Sequence, residues 1–410
     1  MILLLMMLAT AADEPAPDLA FYNRARVNMA NILVNQPNYT CIQTIDRSQR
    51  PRSKAKFETI DSLRLEVAFV DKREMYAWPG SKKFDDIDLI DLVPEGAAIA
   101  TGAFAGHAQY LFRSNIATVS PGDWKSEEGT RYARFPFTVP LNRSRYQLMT
   151  SRQNSELVAY SGDIWIDPVA ARAWRIVLHT DAIPEKLGIK ETETIIEYGA
   201  AKIGESEYWL PARAIESITS WQGRTDRNTT RFSGCRAFTG ESTLRFDDGS
   251  VDAGPPPAPP QILTLPVGVW FEIQFNEAID SNKIHVGDPI ATTLATDFKY
   301  KGQVLFTKGS AVEMRLVRIQ KRKDYTAMEF ATGDVVSPTA IARLMAVPDP
   351  SATVRRAAPS GIPRIGGDMK RPGLGTIYIG GSRILLSKGH RSVWLTTAPP
   401  AAAAPKEERN

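Results

Sequence analysis

Ten residues past the middle of the chain, Val251-Asp252-Ala253-Gly254-Pro255-Pro256-Pro257-Ala258-Pro259-Pro260, limit what the rest can fold into. Proline fixes φ and lacks an N–H, so neither helix nor sheet runs through them. Residues 251–261 read as a stiff polyproline II spacer between two units, 13–250 and 262–397. With 410 residues, 43% of them hydrophobic and 23% charged, the chain has material for two ordinary domains. Residues 398–410, rich in Pro and Ala and ending Lys406-Glu407-Glu408-Arg409-Asn410, have too few apolar side chains to pack and read as a disordered tail.

The chain opens with an apolar run, Met1 to Leu8, that closes on Ala9-Thr10-Ala11-Ala12. Small residues after a short apolar core are the pattern of a signal peptide, here residues 1–12, although no Lys or Arg precedes Arg24. A bilayer span takes about 20 apolar residues, so the run does not read as transmembrane, and no later stretch does. Export implies a periplasmic or secreted protein in an oxidising compartment. There the two cysteines, Cys41 and Cys235, are expected to form a disulfide rather than stay as two separately buried thiols. It would close a loop of about 195 residues, worth about 5 kcal/mol in a chain-entropy account. The net charge of +4, from 50 basic and 46 acidic residues, is too slight to imply nucleic acid as a partner.

The first unit starts with an amphipathic helix: Leu19, Tyr22, Ala25, Met29, Ile32 and Leu33 recur at helical spacing, and Pro37 ends it. Strand patterns follow at 39–45, at 63–69 (Leu63, Leu65, Val67 and Phe69 alternating with Arg64, Glu66 and Ala68), and at 132–139, 146–150, 157–167, 174–180, 193–198, 208–220 and 238–246. Two short helical segments, 84–93 and 103–112, interrupt them and are placed across the sheet's open side. The fold class is mainly β, with an antiparallel sheet rich in hairpins. The second unit reads as a small all-β barrel with strands at 271–275, 303–306, 312–319, 327–330 and 384–386, and a long loop at 348–372. It carries an internal echo: Val304-Leu305-Phe306-Thr307-Lys308-Gly309 and Ile384-Leu385-Leu386-Ser387-Lys388-Gly389, read as two similar hairpins.

Gly162-Asp163-Ile164-Trp165-Ile166-Asp167-Pro168, followed by Ala173-Trp174-Arg175-Ile176-Val177-Leu178, resembles a hairpin of the LolA-like periplasmic lipoprotein carriers. The order of a leading helix, strands, two small helices and more strands is similar too. The resemblance implies a curved antiparallel half-barrel whose concave, apolar side holds acyl chains under covering helices. Leu265-Pro266-Val267-Gly268, Val286-Gly287-Asp288 and Thr307-Lys308-Gly309-Ser310 resemble, more faintly, the β-barrel domains of TrbI-like conjugation-channel proteins.

Catalytic chemistry finds no footing in these residues. His107, His179, His285 and His390 stand alone, without a second ligand at metal spacing. The acidic run Asp85-Asp86-Ile87-Asp88-Leu89-Ile90-Asp91 lacks the glycine of a calcium loop and reads as the solvated face of a helix. No Gly-x-Ser-x-Gly, dinucleotide fingerprint or phosphate loop is present, so neither an enzyme nor a cofactor is expected. The basic cluster Arg315, Arg318, Lys321, Arg322 and Lys323 has two readings: a patch for an anionic envelope surface, or charges that keep strand ends from pairing edge to edge. What remains is a non-enzymatic exported binding protein for a lipid or lipoprotein acyl chain, with Leu63, Leu65, Val67, Phe69, Ile164, Ile166, Trp174, Ile176 and Leu178 as wall. The alternative is an envelope scaffold in which the same alternation marks a filled core.

Overall fold

The computed structural model describes residues 15–70, 73–81, 84, 89, 102–151, 154–238, 259–321, 324–349, 364–367 and 371–399. The run 1–12 expected as a signal peptide, most of the helix expected at 84–93, the strand expected beyond Phe238, residues 251–258, Arg322, Lys323 and the residues from 400 on lie outside that set. No helix among the described residues is long and apolar enough to cross a membrane. The chain divides into two compact units, residues 1–37 with 100–227, and residues 38–99 with 228–410.

In the first unit the helix is Leu19–Val34. Asp18 caps it by accepting from the Phe21 N–H at 2.7 Å, and Tyr22, Ala25, Met29 and Leu33 form its buried stripe. Asn28, on another face, donates to the Ala170 and Ala171 carbonyls at 3.0 Å and ties the helix to the turn after Asp167. The strands Ser206–Ser220, Ile189–Ile203, Arg172–Asp181, Ala159–Asp167 and Thr130–Val139 follow one another as antiparallel neighbours, with Thr118–Val119 and Asp123–Glu127 both paired to the last. The expected helix at 103–112 is a single α-turn, Gly106–Ala108, running into a π-turn, Gln109–Arg113.

In the second unit Tyr39–Arg50 pairs with Glu58–Val70, which pairs with Arg73–Ala77, and strand Thr225–Ala237, which belongs to this unit from Asn228 on, flanks Tyr39–Arg50 on its other side. Strand 225–237 was not anticipated, because its buried positions are Thr225, Asp226, Asn228 and Thr230 rather than apolar residues. Cys41 and Cys235 form the expected disulfide between two of these strands, 194 residues apart in sequence.

The C-terminal strands build a ten-stranded sheet in the order 261–262, 340–343, 325–336, 311–321, 289–294, 270–275, 391–396, 346–348, with 374–380 also paired to 325–336. Residues 364–367 pair with 374–380, so the stretch expected as one long loop contains a strand. The two Lys-Gly echoes occupy matching places. Gly309 donates to the Leu294 carbonyl and Leu294 to that of Ser310; likewise Gly389 donates to Phe275 and Phe275 to His390. Each echo also pairs with a short strand, 303–306 with 298–300 and 385–386 with 279–280. Only the first is a hairpin, its turn made by Lys301 and Gly302 with φ of 48° and 81°; the second reaches back about a hundred residues.

This sheet is fixed to strand Glu58–Val70 by a short parallel bridge, Leu63 to Val286, in which Arg64 N donates to Val286 O and Val286 N to Ser62 O. Arg64 pairs with Asp288 at 3.0 Å. Gly287, at φ +101°, lies so close to the Arg64 carbonyl and the Trp78 ring that a Cβ would collide with both.

Candidate functional site

The interior face of the first unit is best read as rows of directly opposed residues. One row crosses five strands as Phe135, Ile164, Ile176, Ile196 and Ala214, all buried and all apolar. The next runs Phe137, Gly162, Leu178, Thr194 and Glu216. Gly162 leaves the space that a Cβ, driven into the Val177 carbonyl, would otherwise need. A third row holds Val139, Tyr160 and Thr180, and Thr180 meets Thr192 hydroxyl to hydroxyl at 2.9 Å. Polarity therefore rises along the strands, from an all-apolar row to one rich in hydroxyls.

Helix Leu19–Val34 and the α/π turn 106–113 pack together over unit-one residues, and Tyr22 lies 5.4 Å from Phe135, ring centre to ring centre. At the polar end Tyr146 meets Tyr160 edge-on at 5.6 Å and His107 edge-on at 5.0 Å. Burial, with some help from the Glu216 charge, pushes the Tyr146 hydroxyl up to about 12, against the opposing contacts from Thr194 and Thr192. Burial raises Tyr160 as well, and the neighbouring Tyr146 and Tyr110 add to it. These hydroxyls stay neutral at any physiological pH. They offer hydrogen bonds without charge. The cover over them is short: π-turns are uncommon and recur at functional places in helices.

Of the nine wall residues expected from sequence, Ile164, Ile166, Ile176 and Leu178 sit together on this face. Trp174 does not. The register slips between Ala173 and Arg175, so Trp174 is the extra residue of a β-bulge and points to the opposite side with Arg175. There it stacks on Tyr132 at 4.1 Å beneath the Arg175 guanidinium, which is held by Glu127 and Glu197. The other four, Leu63, Leu65, Val67 and Phe69, are buried on strand Glu58–Val70 of the second unit, opposite Ile45, Gln43, Cys41 and Tyr39. Their face also carries Arg47 and Asp61, joined by two hydrogen bonds of 2.7 and 2.6 Å with side chains 1% and 2% exposed.

The described members of the basic cluster, Arg315, Arg318 and Lys321, have different surroundings. Arg315 donates to the Pro79 carbonyl at 3.1 Å and to the Gly287 carbonyl, beneath Trp78, and burial lowers its pKa. Arg318 is exposed, and Lys321 bonds Asn282. What sequence reading missed is the hydroxyl set, Tyr146, Tyr160, Thr192 and Thr194. Thr192 and Thr194 alternate with the outward Glu193 and Glu191, and that polar-on-polar alternation was the available sign.

No protein-family model matches the chain, and no curated protein matches it. Among solved structures it is similar to a LolA superfamily protein from Nitrosomonas europaea (9% identity, 56% of this chain and 97% of that one, TM-score 0.29). It is similar also to a DUF1329 family protein from Desulfovibrio piger (11%, 57% and 98%, 0.31) and to an outer membrane lipoprotein-sorting protein domain from Vibrio parahaemolyticus (10%, 54% and 94%, 0.29). At these identities and scores the likeness carries nothing about ligand or activity.

Proposed function

We propose that the protein is an exported, non-enzymatic binding protein whose first unit accepts a molecule with an apolar body and a neutral polar end, such as an esterified acyl chain. The observation that supports this is the gradation of the interior face: an all-apolar row, Phe135 to Ala214, passes into a row that holds Thr194 with Glu216 at its end, and then into a rim of uncharged hydroxyls. Binding sites for small molecules are mostly apolar with a few placed polar groups, and this face has that composition. A free carboxylate is disfavoured, because Glu216 shares the face and its charge already acts on Tyr146. Native mass spectrometry of the purified protein, paired with organic extraction, tests the reading. Adducts with the masses of neutral acyl lipids are expected, released on extraction; a ligand-free protein that also ignores added acyl esters contradicts it.

A further inference from the structure

Beside the polar end of that interior, the 3-10 turn Leu141–Arg143 leads into the hairpin Gln147–Ser151 and Asn154–Leu157. Gln147 opposes Leu157 and Met149 opposes Ser155, and the bond from Val158 N to Tyr146 O carries the ladder one step further. Arg145, Gln147, Met149, Ser155 and Leu157 consequently share one face, and Tyr146, Leu148 and Val158 the other. The second set is buried. The first is not: Met149 is 39% and Leu157 48% exposed, and Leu141 on the preceding turn is 56% exposed.

Two guanidiniums stand among these apolar side chains. Arg143 and Arg145 are exposed and form no ion pair among the described residues, whereas Arg134 and Arg175 of the same unit are held by Asp123 and by Glu127 with Glu197. The hairpin's one carboxylate, Glu156, is taken by Lys186. A solvent-facing hairpin face ordinarily carries polar residues; this one pairs protruding apolar chains with uncompensated positive charge.

We propose that the rim Leu141, Arg143, Arg145, Met149 and Leu157 docks on an anionic lipid surface. The apolar chains enter the headgroup region and the guanidiniums meet phosphate, the combination by which surface-bound proteins hold acidic membranes. The charge complementarity selects an anionic bilayer over a neutral one. The inference stands whether or not the interior carries a ligand.

The test is co-sedimentation of the full chain with phosphatidylcholine vesicles, alone or containing about a third phosphatidylglycerol. Binding is expected to the mixed vesicles only, and to fade at high salt. Arg143→Gln and Arg145→Gln should each weaken it about fivefold. Met149→Asp with Leu157→Asp should remove it, while Val169→Asp, at a 94% exposed site on the turn after Asp167, leaves it unchanged. Circular dichroism of each variant establishes that it is folded. Absence of binding to the mixed vesicles, equal binding to phosphatidylcholine alone, or binding that survives the four rim substitutions overturns the proposal. Salt-independent capture of a protein partner by the rim in place of lipid overturns it too.

Discussion

The interior face of the first unit and the buried face of strands 39–50 and 58–70 in the second both exclude water, yet they keep polar groups in opposite ways. The first holds neutral hydroxyls that increase along the strands, with one carboxylate, Glu216, at the end of a row. The second holds a charged pair, Arg47 with Asp61, both of whose members are almost wholly buried. A hydroxyl can exchange a protein partner for a ligand at a net cost of about 1 kcal/mol. A buried charge cannot, because separating it from its counter-ion leaves several kcal/mol of desolvation unmet. On the reading proposed above, the ion-paired face is a fixed support, and the graded face is where a guest would be accommodated.

If the second face is support, its polar groups should be intolerant of single changes. Asp61→Ala, which strands Arg47, is expected to cost about 3–5 kcal/mol in chemical denaturation, whereas replacing both partners with apolar residues of similar volume costs far less. A small loss in the single variant would mean that water reaches the pair. The disulfide belongs to the same support. Cys41→Ser with Cys235→Ser should lower stability by about 2–5 kcal/mol, with the chain-entropy figure as its upper limit, and should leave acyl binding by the first unit in place.

The graded face should show itself in alkali. The folded state holds the Tyr146 proton up to about pH 12, against an ordinary value near 10, so the neutral phenol contributes stability that is complete below pH 10 and is lost as pH climbs towards 12. Tyrosinate absorbance should therefore include a late-titrating fraction, and Tyr146→Phe should shrink it, at a loss of about 1 kcal/mol at neutral pH. Ordinary titration of all twelve tyrosines would mean that this end of the face is wet.

Much of this arrangement was legible from sequence where burial and periodicity agree. The helix stripe Tyr22, Ala25, Met29 and Leu33 and the alternation of Leu63, Leu65, Val67 and Phe69 were visible, as was the Lys-Gly echo. That the echo marks two equivalent corners of one sheet was not, since the strands it meets, 270–275 and 289–294, share little beyond alternation. Strand 225–237 hid because its inner positions are polar. Trp174 misled because a bulge moves a side chain across the sheet without altering the apolar count. The hydroxyl set hid because its members are far apart in sequence: Tyr146 precedes strand Gln147–Ser151, Tyr160 lies in Ala159–Asp167, and Thr192 and Thr194 lie in Ile189–Ile203, so only the fold brings them to one end.

The most direct measurement is titration of an environment-sensitive acyl-ester probe against two filling variants, Ile176→Trp in the graded face and Leu65→Trp in the ion-paired face, with melting curves to show that both remain folded. Ile176→Trp is expected to weaken probe binding at least tenfold, about 1.4 kcal/mol, and Leu65→Trp to leave it unchanged. Equal loss in both, or loss in Leu65→Trp alone, would contradict a guest site on the first unit's interior face.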